Sequence, residues 1–449
     1  MRIPKVLKDF AKVFRSAGYD CFLVGGAVRS LIMSLPLGDF DITTNAEPKD
    51  VRALFPRVIP TGIKHGTVTV LFHEHQIEVT TYRVEGIYSD GRRPDEVHFV
   101  PSLEQDLARR DFTINSIALD PIKGTLIDPN RGVDDIRHKI LRAIGDPEER
   151  FSEDGLRLMR ACRIAAQLEF SIESQTMAGI RNQCNGITNI SPERIKDEII
   201  KAIGAPAPSV AIMHMKEGLL LPLVLPELSH CEGVLQKGMH RYDVFHHSLL
   251  ACDCAPRDNL PVRLAALFHD IGKPDALRYL PSGEPIFYQH ENISVDLTRG
   301  ILRRLRFPKS VELRVLRLIE QHMFNYDITW SDAAVRRFLR RIGPEFLDDL
   351  LLLRQADTAG IVGRPQPSPT LSDLKDHVQR LVDESAVFTV RDLEVNGDHL
   401  AELGIPRGPE MGKVLNYLLE AVLDDPNQNR VEKLLIMAER FYRTRIDIH

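Results

Sequence analysis

Near residue 145 the apolar periodicity of the chain changes, and that change limits the folds open to it. Before it, short apolar runs and two-residue alternations, CFLVGG, GTVTVLF and QIEVTTYR, are interleaved with helical patterns, and TINSIALD is a further strand candidate. After it, helix follows helix, with breaks at SPERI, LLPLVLPELS, HDIGKP and the proline-rich GRPQPSPT at 363–370, the best linker candidate. The pattern predicts a small α/β domain followed by a helical remainder. Single cores stop growing near ~250 to 300 residues. A chain of 449 residues therefore requires several domains.

Composition narrows the class. Hydrophobic residues make up 43% and charged ones 27%, as in ordinary folded soluble proteins. No apolar run approaches the ~18 to 20 residues that span a bilayer. MRIPKVLKDFAKVF has charges interrupting its apolar positions and reads as an amphipathic helix, not a secretion signal. We expect a cytoplasmic protein without a membrane partner. The six cysteines form no CxxC pair and read as reduced thiols. A formal charge of -5 argues against a uniformly positive surface for indiscriminate nucleic-acid binding. Arginine is nevertheless clustered, at Arg303, Arg304 and Arg306, at Arg336, Arg337, Arg340 and Arg341, and at Arg440, Arg443 and Arg445. Each cluster is either part of a local basic groove or a solvated helix face.

Residues 37–46 read LGDFDITTNA. Strand alternation would put Asp39 and Asp41 on one face and turn Phe40 to the other. Carboxylates so close repel, a cost tolerated when a divalent cation sits between them. Upstream, LVGGAVRS sets Gly25 and Gly26 between a strand and a helix start, where backbone N–H groups can approach a phosphate, with Arg29 one turn in. Phosphate and metal-binding carboxylates belong together in phosphoryl transfer. Glu78, facing away from Ile77 and Val79, is either a third carboxylate of the site or a solvated strand residue. In LARRDFTINSIALD, Arg109 and Arg110 can hold a triphosphate, and Asp111 can orient an arginine or a sugar hydroxyl. In SEDGLRLMRACRIAAQLEF, a helix would set Asp154 beside Arg157, continue the row with Arg160 and Arg163, and bury Leu158, Cys162, Ala165 and Leu168. An acceptor and donors in fixed geometry suit reading the edge of a base; the same spacing also describes an ion pair on a solvent face.

Taken together and in order, LVGGAVRS with GDFDITT, ARRDFTIN, EDGLRLMR, and SPERIKDEI with Glu193 and Arg194 resemble the class II tRNA nucleotidyltransferase and bacterial poly(A) polymerase family. Ser30 departs from the aspartate usual there, which puts a supporting contact in doubt but no metal ligand. The resemblance implies an α/β polymerase-β-like head in which Asp39 and Asp41 hold Mg2+ and activate an RNA 3′-hydroxyl for attack on the α-phosphate of CTP or ATP. It implies that Arg110 contacts sugar and phosphates, that Asp154 and Arg157 pair with the incoming base, and that Arg160 and Arg163 lie near the triphosphate. TGIKHGTVTV with EVTTYR is similar to tRNA-type members rather than to poly(A) polymerases. VEGIYSDGRRPDEVHF resembles the flexible loop with which full CCA-adding members switch from C to A. That disfavours CC-only addition and leaves open an A-adding enzyme with a separate CC-adding partner.

A second constellation lies in DVFHHSLLACDCA, LAALFHDIGKP, FYQHENIS, IEQHMF and LLRQADTAG. Imidazoles suit transition-metal ions, and adjacent His269 and Asp270 at a helix end offer nitrogen and oxygen to one centre. With His247 before them and Asp357 after, the order resembles the HD phosphohydrolase superfamily, and His290 and His322 fall where two-metal members carry extra ligands. His247 is preferred over His246 because HSL resembles the usual context. The implied cofactor is a divalent transition metal or Mg2+, activating water against a phosphate ester such as a 2′,3′-cyclic phosphate or 2′-phosphate at an RNA end.

The expected organisation is a nucleotidyltransferase head at 1–145, a nucleotide-selecting helical neck at 146–205, a helical HD domain at 206–362 and a helical RNA-binding tail at 363–449. The expected function is addition of CCA, or its terminal A, to tRNA held at acceptor and elbow, with the arginine clusters on RNA phosphates. The rival expectations are a poly(A) polymerase and a phosphohydrolase acting chiefly through the HD site.

Overall fold

The computed structural model describes residues 2–85, 97–236, 241–364, 368–384 and 389–446. Most of VEGIYSDGRRPDEVHF, at 86–96, lies outside the described residues, as do 365–367 of the proline-rich linker and the side chain of Arg445. The chain divides into two compact units, Met1–Glu232 with Gly300–Phe307, and Gly233–Arg299 with Pro308–His449.

Among the described residues up to 127, the first unit has nine strands: β1 (Phe22–Val24), β2 (Phe40–Thr44), β3 (Val58–Gly62), β4 (Thr67–Phe72), β5 (His75–Thr81), β6 (Arg83–Glu85), β7 (Val97–Phe99), β8 (Ala118–Leu119) and β9 (Leu126–Ile127). Seven form one sheet in the order β3-β4-β5-β2-β1-β8-β9, while β6 and β7 pair separately. Only β2 and β5 pair in parallel within that sheet, which places Asp41 opposite Glu78. Alternation then sorts the faces. Phe40, Ile42, Val68, Val70, Ile77 and Val79 are buried on one, where the amphipathic helix Lys5–Ser16 brings Phe10 and Phe14 against Phe55 and Phe72. On the other, Phe22, Val24, Tyr82 and Ala118 pack against Leu103 and Leu107 of the helix Leu103–Ala108. Val24 pairs with Asp41, so Asp41 faces this second side.

Two strand expectations are corrected. Within TINSIALD only Ala118–Leu119 is strand, because Thr113–Asn115 forms a 3₁₀ turn. There Thr113 Oγ1 donates to Asp135 at 2.7 Å and Ser116 Oγ to the Thr113 carbonyl at 2.9 Å, local bonds that compete with a ladder. The unforeseen β3 contains Pro60, tolerated because the strand lies at the sheet edge.

Beyond residue 145 the described residues of the first unit are helical apart from the short strand Ser171–Ile172, which pairs in parallel with Ile140–Leu141. In the second unit, the helices Val244–Cys254, Leu260–Phe268, Lys309–Gln321 and Leu347–Val362 and the one beginning at His290 accompany a hairpin, Leu277–Tyr279 with Pro285–Phe287. The last segment has its own core, including Leu400, Val414, Leu418, Val422 and Leu434. The arginine clusters are not a free basic stripe. Arg336 donates to the Leu423 carbonyl at 3.0 Å, Arg337 pairs with Asp424, and Arg340 bonds to Asn416 at 2.7 Å and to Glu420. They tie the helix Asp332–Ile342 to the helix Pro409–Asp424. Arg304 forks onto Glu227 at 2.8 and 2.9 Å.

Candidate nucleotide and metal sites

Gly25 ends β1 at φ +68°, a backbone region open chiefly to glycine, and starts the helix Gly26–Ile32. A Cβ on Gly25 would lie 3.3 Å from Asp41 Oδ2 and 3.7 Å from Arg110 Nη1. The missing side chain thus leaves bare backbone flanked by a carboxylate and a guanidinium. Asp39 is exposed in the loop leading into β2, and Glu78 is exposed beside Asp41. Among the described residues, the sets of three ligand-type atoms mutually within 4.8 Å lie in the second unit and do not include Asp39, Asp41 and Glu78.

Burial raises the Asp41 carboxyl to about 6; the charge of Glu78 acts with it, Arg110 opposes, and Asp39 adds a smaller push. A half-buried carboxylate crowded by negative neighbours is one that a divalent cation would stabilise, so these residues fit a magnesium ion. Because folding raises this group above its ordinary 3.8, the folded state holds the proton more tightly than the unfolded chain. Its ionised form therefore costs stability, fully above about pH 6 and not at all below 3.8. Asp41→Asn is expected to stabilise the metal-free protein at pH 7.5 by about 1 to 3 kcal/mol. The gain should fade from pH 7 to pH 4, as thermal melts across that range will read.

Behind the glycines lies a group of arginines around one buried carboxylate. Asp111 accepts from Phe112 N at 2.8 Å, from Asn115 Nδ2 at 3.0 Å, and from Arg160 Nε and Nη2 at 3.0 and 2.6 Å. Burial opposes its charge, but Arg160 and these hydrogen bonds hold it well below the usual carboxylate range. Arg29 bonds to Asn115, yet its buried Nε has no partner among the described residues. Burial pushes the Arg29 guanidinium down; Asp111 opposes this, while Arg163 and Arg160 reinforce it. Arg163 bonds to buried Glu198 at 2.5 Å. Three guanidinium groups close enough to repel make a place where a polyanion is stabilised.

The expected Asp154–Arg157 pair on one helix is not what forms. Asp154 is extended, at φ -144°, between the helices Pro147–Glu153 and Leu156–Leu168. Its Oδ1 accepts from Leu156 N at 3.0 Å, and Arg194 clamps the carboxylate at 2.7 and 3.3 Å. The next residue must be glycine, since a Cβ on Gly155 would lie 2.4 Å from the Gly186 carbonyl. Arg157 is buried, pairs with Glu153, and donates to the carbonyls of Arg150 and Arg109 at 3.0 and 3.3 Å. The i,i+4 spacing of Glu153 and Arg157 was the available signal for that partner. Leu158, Cys162 and Ala165 are buried as expected, whereas Leu168 is half-buried.

In the second unit, His247, His269, Asp270, His290, His322 and Asp357 are all buried and converge. His247 Nε2 is 3.2 Å from His269 Nε2 and 3.1 Å from Asp357 Oδ1. Asp270 Oδ2 lies 3.3 and 3.5 Å from the His269 and His247 nitrogens, while its Oδ1 lies 3.1 Å from His290 Nε2 and 3.9 Å from His322 Nε2. Ligands about 2.0 to 2.2 Å from one cation stand roughly 3.0 to 3.5 Å apart, so most of these separations fit a shared cation. Asp270 joins the two triads. The Nδ1 atoms of His269, His290 and His322 meet the carbonyls of Ala266, Phe287 and Ile319 at 2.9, 2.9 and 2.7 Å, which turns each Nε2 inward. Nε2 of His322 has no hydrogen-bond partner among the described residues.

Burial disfavours a charged His269, but Asp270 and Asp357 hold its imidazole up to about 10. Burial, followed by the charge of His269, pushes His322 down to about 3. His246 turns instead to Asp243, at 2.7 Å. Gly272 is required by close approach as well as by the helix stop, since a Cβ would meet the His290 carbonyl at 2.5 Å. Sequence reasoning missed Lys273, which donates to Asp270 Oδ2 and Gln236 Oε1 at 2.6 Å each, and Arg354, 2.8 Å from Asp357 Oδ2.

Comparisons with known proteins agree with this division. The poly A polymerase head domain matches residues 21–142, the probable RNA and SrmB-binding site of polymerase A matches 169–231, and the HD domain matches 238–359. A CCA-adding enzyme of Streptococcus pyogenes is 31% identical over 94% of this chain and 92% of its own length. One from Lactobacillus delbrueckii subsp. bulgaricus is 32% identical over 96% of both. The crystal structure of the Bacillus stearothermophilus CCA-adding enzyme in complex with CTP matches with a TM-score of 0.76 and 29% identity over all of both chains. The Thermotoga maritima CCA-adding enzyme complexed with tRNA shares the fold, at a TM-score of 0.57 and 18% identity over 97% of this chain and 95% of that one. A glycine cradle between Asp41 and Arg110, carried on a polymerase head in a chain alike over nearly its whole length, places this protein in the CCA-adding enzyme family of nucleotidyltransferases.

Proposed function

We propose that this chain adds C, C and A to tRNA 3′ ends from CTP and ATP. The observation that carries the reading is the convergence on Gly25 of Asp41 and Arg110, with the Arg29, Asp111 and Arg160 cluster nearby. Magnesium bound at Asp39 and Asp41 supplies charge neutralisation for nucleotidyl transfer. Asp39 and Asp41 would activate the RNA 3′-hydroxyl: its oxygen bonds to the α-phosphorus, its proton passes to solvent and pyrophosphate leaves. Glu78, opposite Asp41 in the β2–β5 pairing, is the third carboxylate of the site. Gly25 and Gly26 admit phosphate oxygens to the backbone, Arg110 takes sugar and phosphates, and Arg29, Arg160 and Arg163 take the triphosphate charge.

Base selection falls to Asp154 and Arg157, with the Arg194 clamp holding Asp154 and the Glu153 pair holding Arg157. Asp154→Ala is expected to reduce discrimination between CTP and ATP by about 10- to 100-fold, since a well-placed hydrogen-bonding pair is worth roughly 1 to 3 kcal/mol. Single-nucleotide incorporation on tRNA ending at the discriminator base, with each triphosphate alone, measures this.

The division proposed is a head at 1–145, a selecting neck at 146–205, an HD domain at 206–362 and a tail at 363–449 that grips the tRNA elbow. A cytoplasmic location fits, and no helix among the described residues is long and apolar enough to cross a membrane. A second activity is favoured by the two triads joined through Asp270: hydrolysis of a 2′,3′-cyclic phosphate or 2′-phosphate at RNA ends, using a divalent transition metal or Mg2+. An A-adding enzyme working with a separate CC-adding partner is the alternative, and extension of tRNAs ending at the discriminator base, at C and at CC separates the two.

A further inference from the structure

One buried carboxylate in the head has no part in the chemistry of the nucleotide site described above. Asp106, on the helix Leu103–Ala108, is fully buried. Its Oδ1 accepts from Arg109 Nε and Nη2 at 2.9 and 2.7 Å, and its Oδ2 from Arg110 Nη2 at 3.2 Å and Thr43 Oγ1 at 3.0 Å. Burial opposes its charge, yet Arg110 and Arg109 hold it below the ordinary range, so it stays ionised. Thr43 lies two residues after Asp41 and on the same face of β2. One carboxylate therefore links the strand that carries Asp41 to the arginine that faces Asp41 across Gly25.

Arg110 needs such a constraint. Its Nε is buried without a partner among the described residues, and its Nη1 points toward the glycine cradle. Arg109 extends the link, because its carbonyl accepts from Arg150 at 3.1 Å and from Arg157 at 3.3 Å. Only an ionised carboxylate presents acceptors on both oxygens and no donor; an amide would set an NH2 against guanidinium or hydroxyl donors.

We propose that Asp106 is a positioning residue for nucleotidyl transfer, aiming Arg110 at the nucleotide beside Asp41. The proposal rests on the reading of this cradle as the nucleotide site. Its role in the reaction runs through Arg110, and that separates it from a carboxylate that merely holds the fold together.

The test is equilibrium binding of CTP, with magnesium, to full-length wild type, Asp106→Asn, Arg110→Ala and the double variant, with kcat on CC-ended tRNA as a second readout. Asp106→Asn is expected to weaken CTP by ~10- to 100-fold, the range for hydrogen bonds to charged groups. In the Arg110→Ala background it should add less than about 2-fold, because the two changes remove one interaction. If Asp106→Asn does not fold, Thr43→Val, which removes one of the four bonds, is expected to weaken CTP by about 2- to 10-fold, and not at all in the Arg110→Ala background. Unchanged CTP affinity in the folded Asp106 or Thr43 variants, or equal losses in both backgrounds, would overturn the proposal. Full CTP affinity in Arg110→Ala would instead sink the reading of the cradle itself, and the proposal with it.

Discussion

Asp41→Ala is expected to slow nucleotide addition by on the order of 10³-fold or more while leaving the protein folded, because in the proposed mechanism it removes the carboxylate that holds magnesium where transition-state charge develops. The two effects have opposite signs for one reason. Asp41 is a charge that the fold disfavours, held between burial and the field of Glu78, and its pKa of about 6 records the cost. A residue kept for packing or pairing would lower the melting temperature when lost. This one should leave it level or raise it in metal-free buffer, while single-turnover addition of A to CC-ended tRNA collapses. A variant that retains addition within about 10-fold would remove Asp41 from the chemistry.

Asp270→Ala is expected to abolish hydrolysis of an RNA 2′,3′-cyclic phosphate, by on the order of 10³-fold, and to leave nucleotide addition unchanged. Asp270 presents one oxygen to His247 and His269 and the other to His290 and His322, so its loss damages both triads. His322→Ala touches one triad and should lower the bound divalent metal, measured by elemental analysis of the purified protein, by less than Asp270→Ala does. The addition chemistry lies in the other compact unit, which is why the two activities should separate. Equal metal content in wild type and Asp270→Ala would contradict the site.

What the sequence disclosed follows from which interactions are local. Strand alternation in GTVTVLF and QIEVTTYR, the glycines after CFLV, and the order of His247, His269, Asp270 and Asp357 are local patterns, and each falls where it was expected in the fold. The placement of Asp154 was not legible, because the next residue, Gly155, packs on Gly186, a contact between distant segments. The same holds for the contacts of Asp106 with Thr43 and of Glu198 with Arg163, which join distant segments, whereas the i,i+3 and i,i+4 spacing of Asp106 to Arg109 and Arg110 was a local signal. The partners of the clustered arginines were not legible for a related reason. Arg336, Arg337 and Arg340 look like a basic face until Leu423, Asp424 and Glu420, some eighty residues on, take up their donors. A run of like charge in sequence says little about the acceptors that the fold brings to it.

The central claim is best tested by extension of three tRNA substrates, ending at the discriminator base, at C and at CC, with CTP and ATP separately and together. The account predicts that all three mature to CCA and then stop, with CTP alone adding two residues to the first and ATP alone adding one to the last. Extension of the CC-ended tRNA alone, by a single A, would show an A-adding enzyme that needs a partner, and long runs of A on any of the three would contradict the account outright.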